Sequence, residues 1–119
     1  MKVLIADDDR LIRIMLADLL GEMGHAVVAA ENGVEALNLC GRESPDLLIL
    51  DLLMPRLSGL DALHAMRRAG CTAPAILLTA ISDPSFRDME GADEVQIRLD
   101  KPINRRALER AMARAMGGR

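Results

Sequence analysis

Five short apolar segments, separated by stretches with helical periodicity, constrain the fold of this chain more than any other feature. The apolar segments are predicted strands and cover residues 3–6, 26–30, 47–50, 75–78 and 95–99. Strands that are almost uniformly apolar and alternate with helices form parallel sheets covered on both faces. With right-handed crossovers, the pattern predicts an α/β fold with one doubly wound, five-stranded parallel sheet.

The stretches between these strands are predicted helices, since apolar residues recur in them every three or four positions. The predictions are a helix over 10–23, one carrying Val34 to Cys40, one over 58–68, one over 85–94 that begins near Ser82-Asp83-Pro84, and a last helix to about 116. Asp9 and Asn104 are the expected caps of the first and last helices. Leu108, Ala111, Met112 and Ala115 are expected to face inward.

Length and composition fit a single domain over residues 1–119. Half of the 119 residues are hydrophobic, which is enough for a core without disulfides. A net charge of −3 argues against a nucleic-acid-binding surface. Arginines on the last helix are interpreted mainly as a solvated face, with a docking surface for a protein partner as the alternative: Arg105, Arg106, Arg110 and Arg114.

Cysteine usage and hydropathy predict a cytoplasmic protein. Cys40 and Cys71 belong to no CxxC motif, and the chain shows no signal peptide, so both are expected to be reduced thiols. The apolar runs are far shorter than the ~20 residues of a membrane span. We therefore expect no contact with a membrane.

Polar residues follow four of the five predicted strands. They are Asp7, Asp8 and Asp9 after the first strand, Asp51 after the third, Thr79 after the fourth and Lys101 after the fifth. Each alone is a common turn or cap residue. Because ligands of parallel α/β sheets bind just past the carboxyl ends of the strands, together they predict a functional site at one sheet edge.

The residue types at this edge suggest phosphoryl chemistry. Neighbouring carboxylates repel each other unless a cation neutralises them, and carboxylate oxygens suit Mg²⁺. A magnesium ion, an ammonium and a hydroxyl around one carboxylate can stabilise a phosphoryl group by position and charge.

The motifs that carry these residues resemble a known family. They are Val3-Leu4-Ile5-Ala6-Asp7-Asp8-Asp9, Leu50-Asp51-Leu52-Leu53-Met54-Pro55 with Ser58-Gly59, Leu78-Thr79-Ala80, and Lys101-Pro102. In this combination and order they are similar to the CheY-like receiver domains of bacterial two-component response regulators. The resemblance covers essentially the whole chain. It implies the flavodoxin-like three-layer sandwich with strand order 2-1-3-4-5.

The resemblance also implies roles for single residues. Asp51 would accept a phosphoryl group from a histidine kinase or a histidine phosphotransfer protein. Asp8, Asp51 and the backbone carbonyl of Leu53 would bind Mg²⁺ (or Mn²⁺) directly, with Asp7 acting mainly through water. Phosphoryl oxygens would be bound by Lys101, by the Thr79 hydroxyl and by the Ala80 amide. Gly59 is expected to allow a backbone turn that a larger residue would resist, and the Lys101-Pro102 bond is expected to be cis.

Such a protein is a signalling phosphoacceptor rather than an enzyme, since it catalyses only its own phosphorylation and dephosphorylation. Phosphorylation would change a surface read by a downstream protein or by an effector domain outside this chain. Whether the chain stands alone or belongs to a longer regulator is left open.

Two departures from the family pattern bear on this switch. Arg98 occupies the position where the family usually has the aromatic partner of the switch residue Thr79, and Gly91-Ala92 lies earlier than usual. An Arg is costly to bury without a partner, so we expect an altered output surface. Leu53 and Ile81 are apolar where the family positions the hydrolytic water, which predicts slow autodephosphorylation.

Three other functions remain as alternatives. A phosphorylation-independent pseudo-receiver would serve only as a protein-interaction module, and Arg98 is the feature that favours it. A phosphatase with an Asp nucleophile usually needs a second Asp where this chain has Leu53. A nucleotide-binding module would need a Gly-rich loop after the first strand.

Overall fold

The computed structural model describes residues 1–79 and 97–117. The strands in these ranges are β1 (Lys2–Ala6), β2 (Ala26–Ala30), β3 (Leu47–Asp51), β4 (Ala75–Thr79) and β5 (Ile97–Asp100). The helices in the same ranges are α1 (Arg10–Glu22), α2 (Gly33–Glu43), α3 (Gly59–Arg68) and α4 (Arg105–Gly117). The helix predicted over 85–94, its start, the Gly91-Ala92 pair, and the first residues of the predicted fifth strand lie outside the described residues.

The five strands form one parallel sheet in the order β2-β1-β3-β4-β5. The predicted doubly wound sheet is therefore confirmed. The neighbouring strands β1 and β3 are buried along their whole length apart from the half-buried Lys2, because helices cover both faces of the sheet. Their residues are apolar apart from Lys2 and Asp51. Asp51 and Thr79 are the last residues of β3 and β4 rather than the first residues after them.

Alternation along the strands divides the core into two layers. Val3 and Ile5 face the layer that includes the buried residues of α1 and α4, whereas Leu4 and Ala6 face the layer that includes those of α2 and α3. All four α4 residues predicted to face inward are buried. Leu11, at the start of the apolar pattern of α1, is instead 74% exposed.

Side-chain caps fix the point at which each described helix begins. Asp9 Oδ1 accepts a hydrogen bond from the Leu11 amide at 2.9 Å, and Asn104 Oδ1 accepts one from the Ala107 amide at 2.9 Å. Both predicted caps are confirmed. Asn32 and Ser58 cap α2 and α3 in the same way. Such caps satisfy amide groups that have no partner inside the helix. None of these helices is long and apolar enough to span a membrane.

Candidate functional site

Two buried carboxylates and one ammonium meet at the carboxyl ends of the central strands. Asp7 directly follows β1 and is fully buried, and Asp51 ends β3 with 5% of its surface exposed. Lys101 directly follows β5, and its Nζ lies 3.1 Å from Asp7 Oδ2 and 3.4 Å from Asp51 Oδ1. The structure therefore brings together three of the residues that sequence placed at this edge.

The environment of Asp51 favours its protonated form. Burial, followed by the charge of Asp7, raises the pKa of Asp51 from 3.8 to about 6, although Lys101 opposes the rise. Burial alone would lower the pKa of Lys101, but the close contact with Asp7 and the charges of Asp51 and Asp7 outweigh it and raise that pKa. Lys101 is thus a cation at neutral pH, and a further positive charge would favour the Asp51 carboxylate.

The acidic residues fit a divalent cation. Asp7, Asp8 and Asp51 each offer a carboxylate oxygen, and these oxygens lie within 4.8 Å of one another. Asp7 Oδ1 accepts a hydrogen bond from the Asp9 amide at 2.8 Å. Asp7 Oδ2 is buried and faces Lys101 Nζ at 3.1 Å. A carboxylate oxygen has a second lone pair, so Asp7 Oδ2 can also bind a cation. An all-oxygen set with water-accessible Asp8 matches the preferences of Mg²⁺.

Arg13 holds the backbone of the acidic loop, a role that the sequence analysis missed. Its Nη1 donates a hydrogen bond to the Asp7 carbonyl oxygen at 2.7 Å, and the Asp7 amide donates to the Ala30 carbonyl oxygen at 3.2 Å. Arg13 lies on the first turns of α1, close to the strand end that the helix follows. An Arg at that place is the only sequence signal of this contact.

The Thr79 hydroxyl makes hydrogen bonds to two residues of β5. It donates a hydrogen bond to Asp100 Oδ1 at 2.8 Å and accepts one from Arg98 Nε at 3.0 Å. Arg98 Nε also lies 3.0 Å from Asp100 Oδ1. Asp100 was missed from sequence, although strand pairing sets it opposite Thr79. Arg98 is half-buried with these partners, so the expected cost of burying an unpaired Arg does not arise.

The loop after Asp51 depends on a close approach of two backbone segments. The Gly59 amide donates a hydrogen bond to the Leu52 carbonyl oxygen at 2.9 Å. A Cβ atom on Gly59 would overlap the Asp51 carbonyl oxygen. A larger residue would be resisted at this position, as expected. Gly59 is not among the residues with positive φ, so a left-handed backbone conformation is not the reason. The absence of a side chain is what the structure requires.

Other residues of the expected site are placed as follows. Leu53, two residues after Asp51, is 60% exposed, and the metal-binding role of its carbonyl stays a prediction. The Lys101-Pro102 peptide bond is cis, as expected. Ala80 and Ile81 lie outside the described residues.

A cavity of about 590 Å³ lies at the opposite end of the sheet, near Pro45 and Pro74, which precede β3 and β4. The cavity contains none of the strand-tip residues, and ligands of such sheets bind at the carboxyl ends of strands.

Cys40 and Cys71 both line this cavity and form no disulfide. Burial, together with the neighbouring Cys71, raises the pKa of Cys40 to about 12, so that thiol is unreactive at neutral pH.

Comparison with known proteins decides the family. The family model described as "Response regulator receiver domain" matches residues 3–113. The chain belongs to this family. As a receiver domain it is part of two-component signalling, in which such domains act together with histidine kinases and effector domains.

Relatives and solved structures agree with this assignment. The receiver domain is 41% identical over 117 residues to the response regulator MprA of Mycobacterium leprae (strain TN), covering 96% of this chain and 49% of that protein. It is therefore similar to about half the length of that relative. The CheY4 chemotaxis protein of Vibrio cholerae superposes with a TM-score of 0.89 at 30% identity, over 97% of this chain and 98% of that one. A receiver domain from Clostridium thermocellum superposes with a TM-score of 0.86 at 28% identity, over 98% of this chain and 94% of that one.

Proposed function

We propose that this receiver domain accepts a phosphoryl group on Asp51, in a magnesium-dependent transfer from the phosphohistidine of a histidine kinase or histidine phosphotransfer protein. The observation that carries the proposal is the pairing of buried Asp51 and Asp7 with one ammonium, 3.1–3.4 Å from both carboxylates. Asp8 adds a third carboxylate, with an oxygen within 4.8 Å of oxygens of Asp7 and Asp51. A site with this excess of negative charge favours a metal ion and then a phosphoryl group held by both cations.

Asp51 is the nucleophile of the proposed reaction. One of its oxygens attacks phosphorus, the phosphorus–nitrogen bond of the phosphohistidine breaks, and the imidazole leaves with the electron pair of that bond. The product is an acyl phosphate on Asp51. Only the carboxylate form attacks, so a bound cation that counteracts the raised pKa of Asp51 also prepares the nucleophile.

The remaining residues bind and orient the phosphoryl group. Asp8, Asp51 and the Leu53 carbonyl would hold Mg²⁺ (or Mn²⁺), with Asp7 acting mainly through water. When bound, the ion neutralises charge on the phosphoryl oxygens. Lys101 is already in contact with an Asp51 oxygen, and it would pair with one phosphoryl oxygen while the Thr79 hydroxyl and the Ala80 amide donate to others. The domain would catalyse only its own phosphorylation and dephosphorylation.

Phosphorylation would act through protein contacts in the cytoplasm. The reader of the switched surface would be a downstream protein or an effector domain of the same regulator. With a net charge of −3, the domain itself would contact neither nucleic acid nor membrane.

Intact-mass measurement after incubation with acetyl phosphate and Mg²⁺ tests the proposal. We expect one added phosphoryl group that requires Mg²⁺, is absent in Asp51→Asn and persists in the control Asp18→Asn, which changes an exposed acid on α1. Folded protein that gains no adduct from acetyl phosphate, nor from a panel of phosphorylated histidine kinases, would overturn the proposal and favour a phosphorylation-independent module.

A further inference from the structure

The contacts of the Thr79 hydroxyl determine where its single proton lies. An ionised carboxylate only accepts hydrogen bonds and a guanidinium only donates them. The Thr79 proton therefore points at Asp100 Oδ1, 2.8 Å away, while a lone pair of the same oxygen faces Arg98 Nε at 3.0 Å. Both contacts fix the rotation of the hydroxyl in the direction of Asp100.

Strand pairing holds these three residues together. Thr79 and Asp100 are partners in the register of β4 and β5, and the Lys101 amide donates to the Thr79 carbonyl oxygen at 2.8 Å. Arg98 lies two residues before Asp100, which puts both side chains on the same side of β5. We call Thr79, Arg98 and Asp100 the Thr79 latch.

Burial differs sharply within the Thr79 latch. Thr79 is 1% exposed, whereas the side chains of Arg98 and Asp100 are 31% and 52% exposed. A buried hydroxyl needs a partner in every state of the protein, because leaving it unsatisfied is costly. Asp100, which is half in solvent, can release the hydroxyl at a smaller cost since water replaces the lost bond.

We propose that Asp100 is a positioning residue that competes with the phosphoryl group for the Thr79 proton. This inference rests on the proposed function, in which Thr79 donates to a phosphoryl oxygen. A hydroxyl has one proton and cannot donate fully to Asp100 and to a phosphoryl oxygen together. Binding of the phosphoryl group must therefore break the Thr79–Asp100 bond. The Thr79 latch thereby lowers the affinity of the resting site for a phosphoryl group.

The experiment measures the affinity of the Mg²⁺-loaded protein for beryllofluoride, a phosphoryl mimic, by calorimetric titration. Asp100→Ala should bind it about fivefold more tightly than the wild type, equivalent to ~1 kcal/mol. In a Thr79→Val background the same substitution should change the affinity less than twofold, because no hydroxyl remains to be released. Asp100→Asn keeps a weaker acceptor and should fall between wild type and Asp100→Ala.

The effect of losing the Thr79–Asp100 hydrogen bond must be separated from the effect of losing a negative charge. Asp18→Ala tests the loss of a surface charge, and the Thr79→Val background tests the hydrogen bond. Asp18→Ala removes one negative charge from an exposed α1 residue whose side chain makes no hydrogen bond or ion pair with the described residues. It should leave the affinity for beryllofluoride unchanged. An Asp100→Ala effect of equal size with and without the Thr79 hydroxyl would overturn the proposal, because the effect would then come from charge alone.

A second readout needs neither metal nor mimic. In the metal-free protein, the Arg98 Nε–H proton should give an NMR signal protected from exchange, and Thr79→Val should shift it and speed its exchange. An unprotected signal that does not respond to Thr79→Val would overturn the Thr79 latch.

The two proposals fail in different ways. If wild-type protein binds beryllofluoride but Asp100→Ala binds it equally or more weakly, only the Thr79 latch is refuted. If folded wild-type protein with Mg²⁺ binds no beryllofluoride, the proposed function fails, and the Thr79 latch fails with it.

Discussion

Replacing Asp51 by Asn should stabilise the metal-free protein at neutral and alkaline pH. The cause is the rise of the Asp51 pKa from 3.8 to about 6, produced first by burial and then by the Asp7 charge. At 1.36 kcal/mol per pH unit, this rise corresponds to ~3 kcal/mol. Asn has nearly the same shape and no charge. Because Lys101 loses one of its two carboxylate partners, we expect a net gain of about 1–3 kcal/mol.

The sign of the effect sets its pH window. The folded state binds the Asp51 proton more tightly than the unfolded state, so this group favours folding most below pH 3.8. That contribution is lost as the pH rises through about 6. The pKa of Lys101 is also raised, and its contribution is lost only at alkaline pH, above its ordinary value of 10.5. The difference between wild type and Asp51→Asn should therefore develop between about pH 4 and 7 and stay constant to pH 8.

Urea unfolding followed by far-UV circular dichroism measures this difference. Wild type, Asp51→Asn and the exposed-acid control Asp18→Asn would be compared at several pH values in EDTA. Asp51→Asn should be the most stable variant at pH 8, and its advantage should shrink towards pH 4. Adding Mg²⁺ should stabilise the wild type by mass action and Asp51→Asn less. Equal or lower stability of Asp51→Asn at pH 8, without metal, would refute the reasoning.

Three further substitutions test other parts of the site. Gly59→Ala should destabilise the protein by about 1–3 kcal/mol in urea unfolding, since its Cβ would overlap the Asp51 carbonyl oxygen; unchanged stability would contradict that overlap. Arg13→Gln should weaken Mg²⁺ binding roughly two- to tenfold in calorimetric titration, because the Asp7 carbonyl loses its donor; an unaltered affinity would remove Arg13 from the site. Leu53→Asn should shorten the lifetime of phosphorylated Asp51 by roughly tenfold, or ~1.4 kcal/mol in barrier, when decay is followed by intact mass; an equal lifetime would end the prediction that an apolar residue there slows hydrolysis.

The sequence alone was sufficient to predict the architecture and the charged residues at the carboxyl ends of the strands. Alternating apolar strands and periodic helices predicted the sheet. Because ligands of parallel sheets bind at the carboxyl ends of the strands, the prediction placed Asp7, Asp51 and Lys101 at one sheet edge. The structure brings these three side chains into contact there. The caps Asp9 and Asn104 were also predictable, because a polar residue before an apolar helical pattern has a local role.

Features that depend on register and packing were not predictable in the same way. Residue type alone does not reveal that the Thr79 hydroxyl is bound by Asp100, because that contact requires the pairing of β4 with β5. The reason for Gly59 depends on a backbone segment that only the folded chain brings near. Arg98 was recognised as unusual, but its partner two residues later on the same side of the strand was overlooked.

The pairing of β5 with β4, its neighbour among the described strands, also decides the sign of the charge at the strand tip. Ile97 and Leu99 are buried and alternate with Arg98 and Asp100. Sliding this strand by one residue would turn both apolar side chains outward and both charged ones into the core. A slip of one residue toward the carboxyl end would put Asp100 in the place of Lys101, so that a carboxylate instead of an ammonium would face Asp7 and Asp51. The apolar alternation of one short edge strand thus protects the site against becoming entirely anionic.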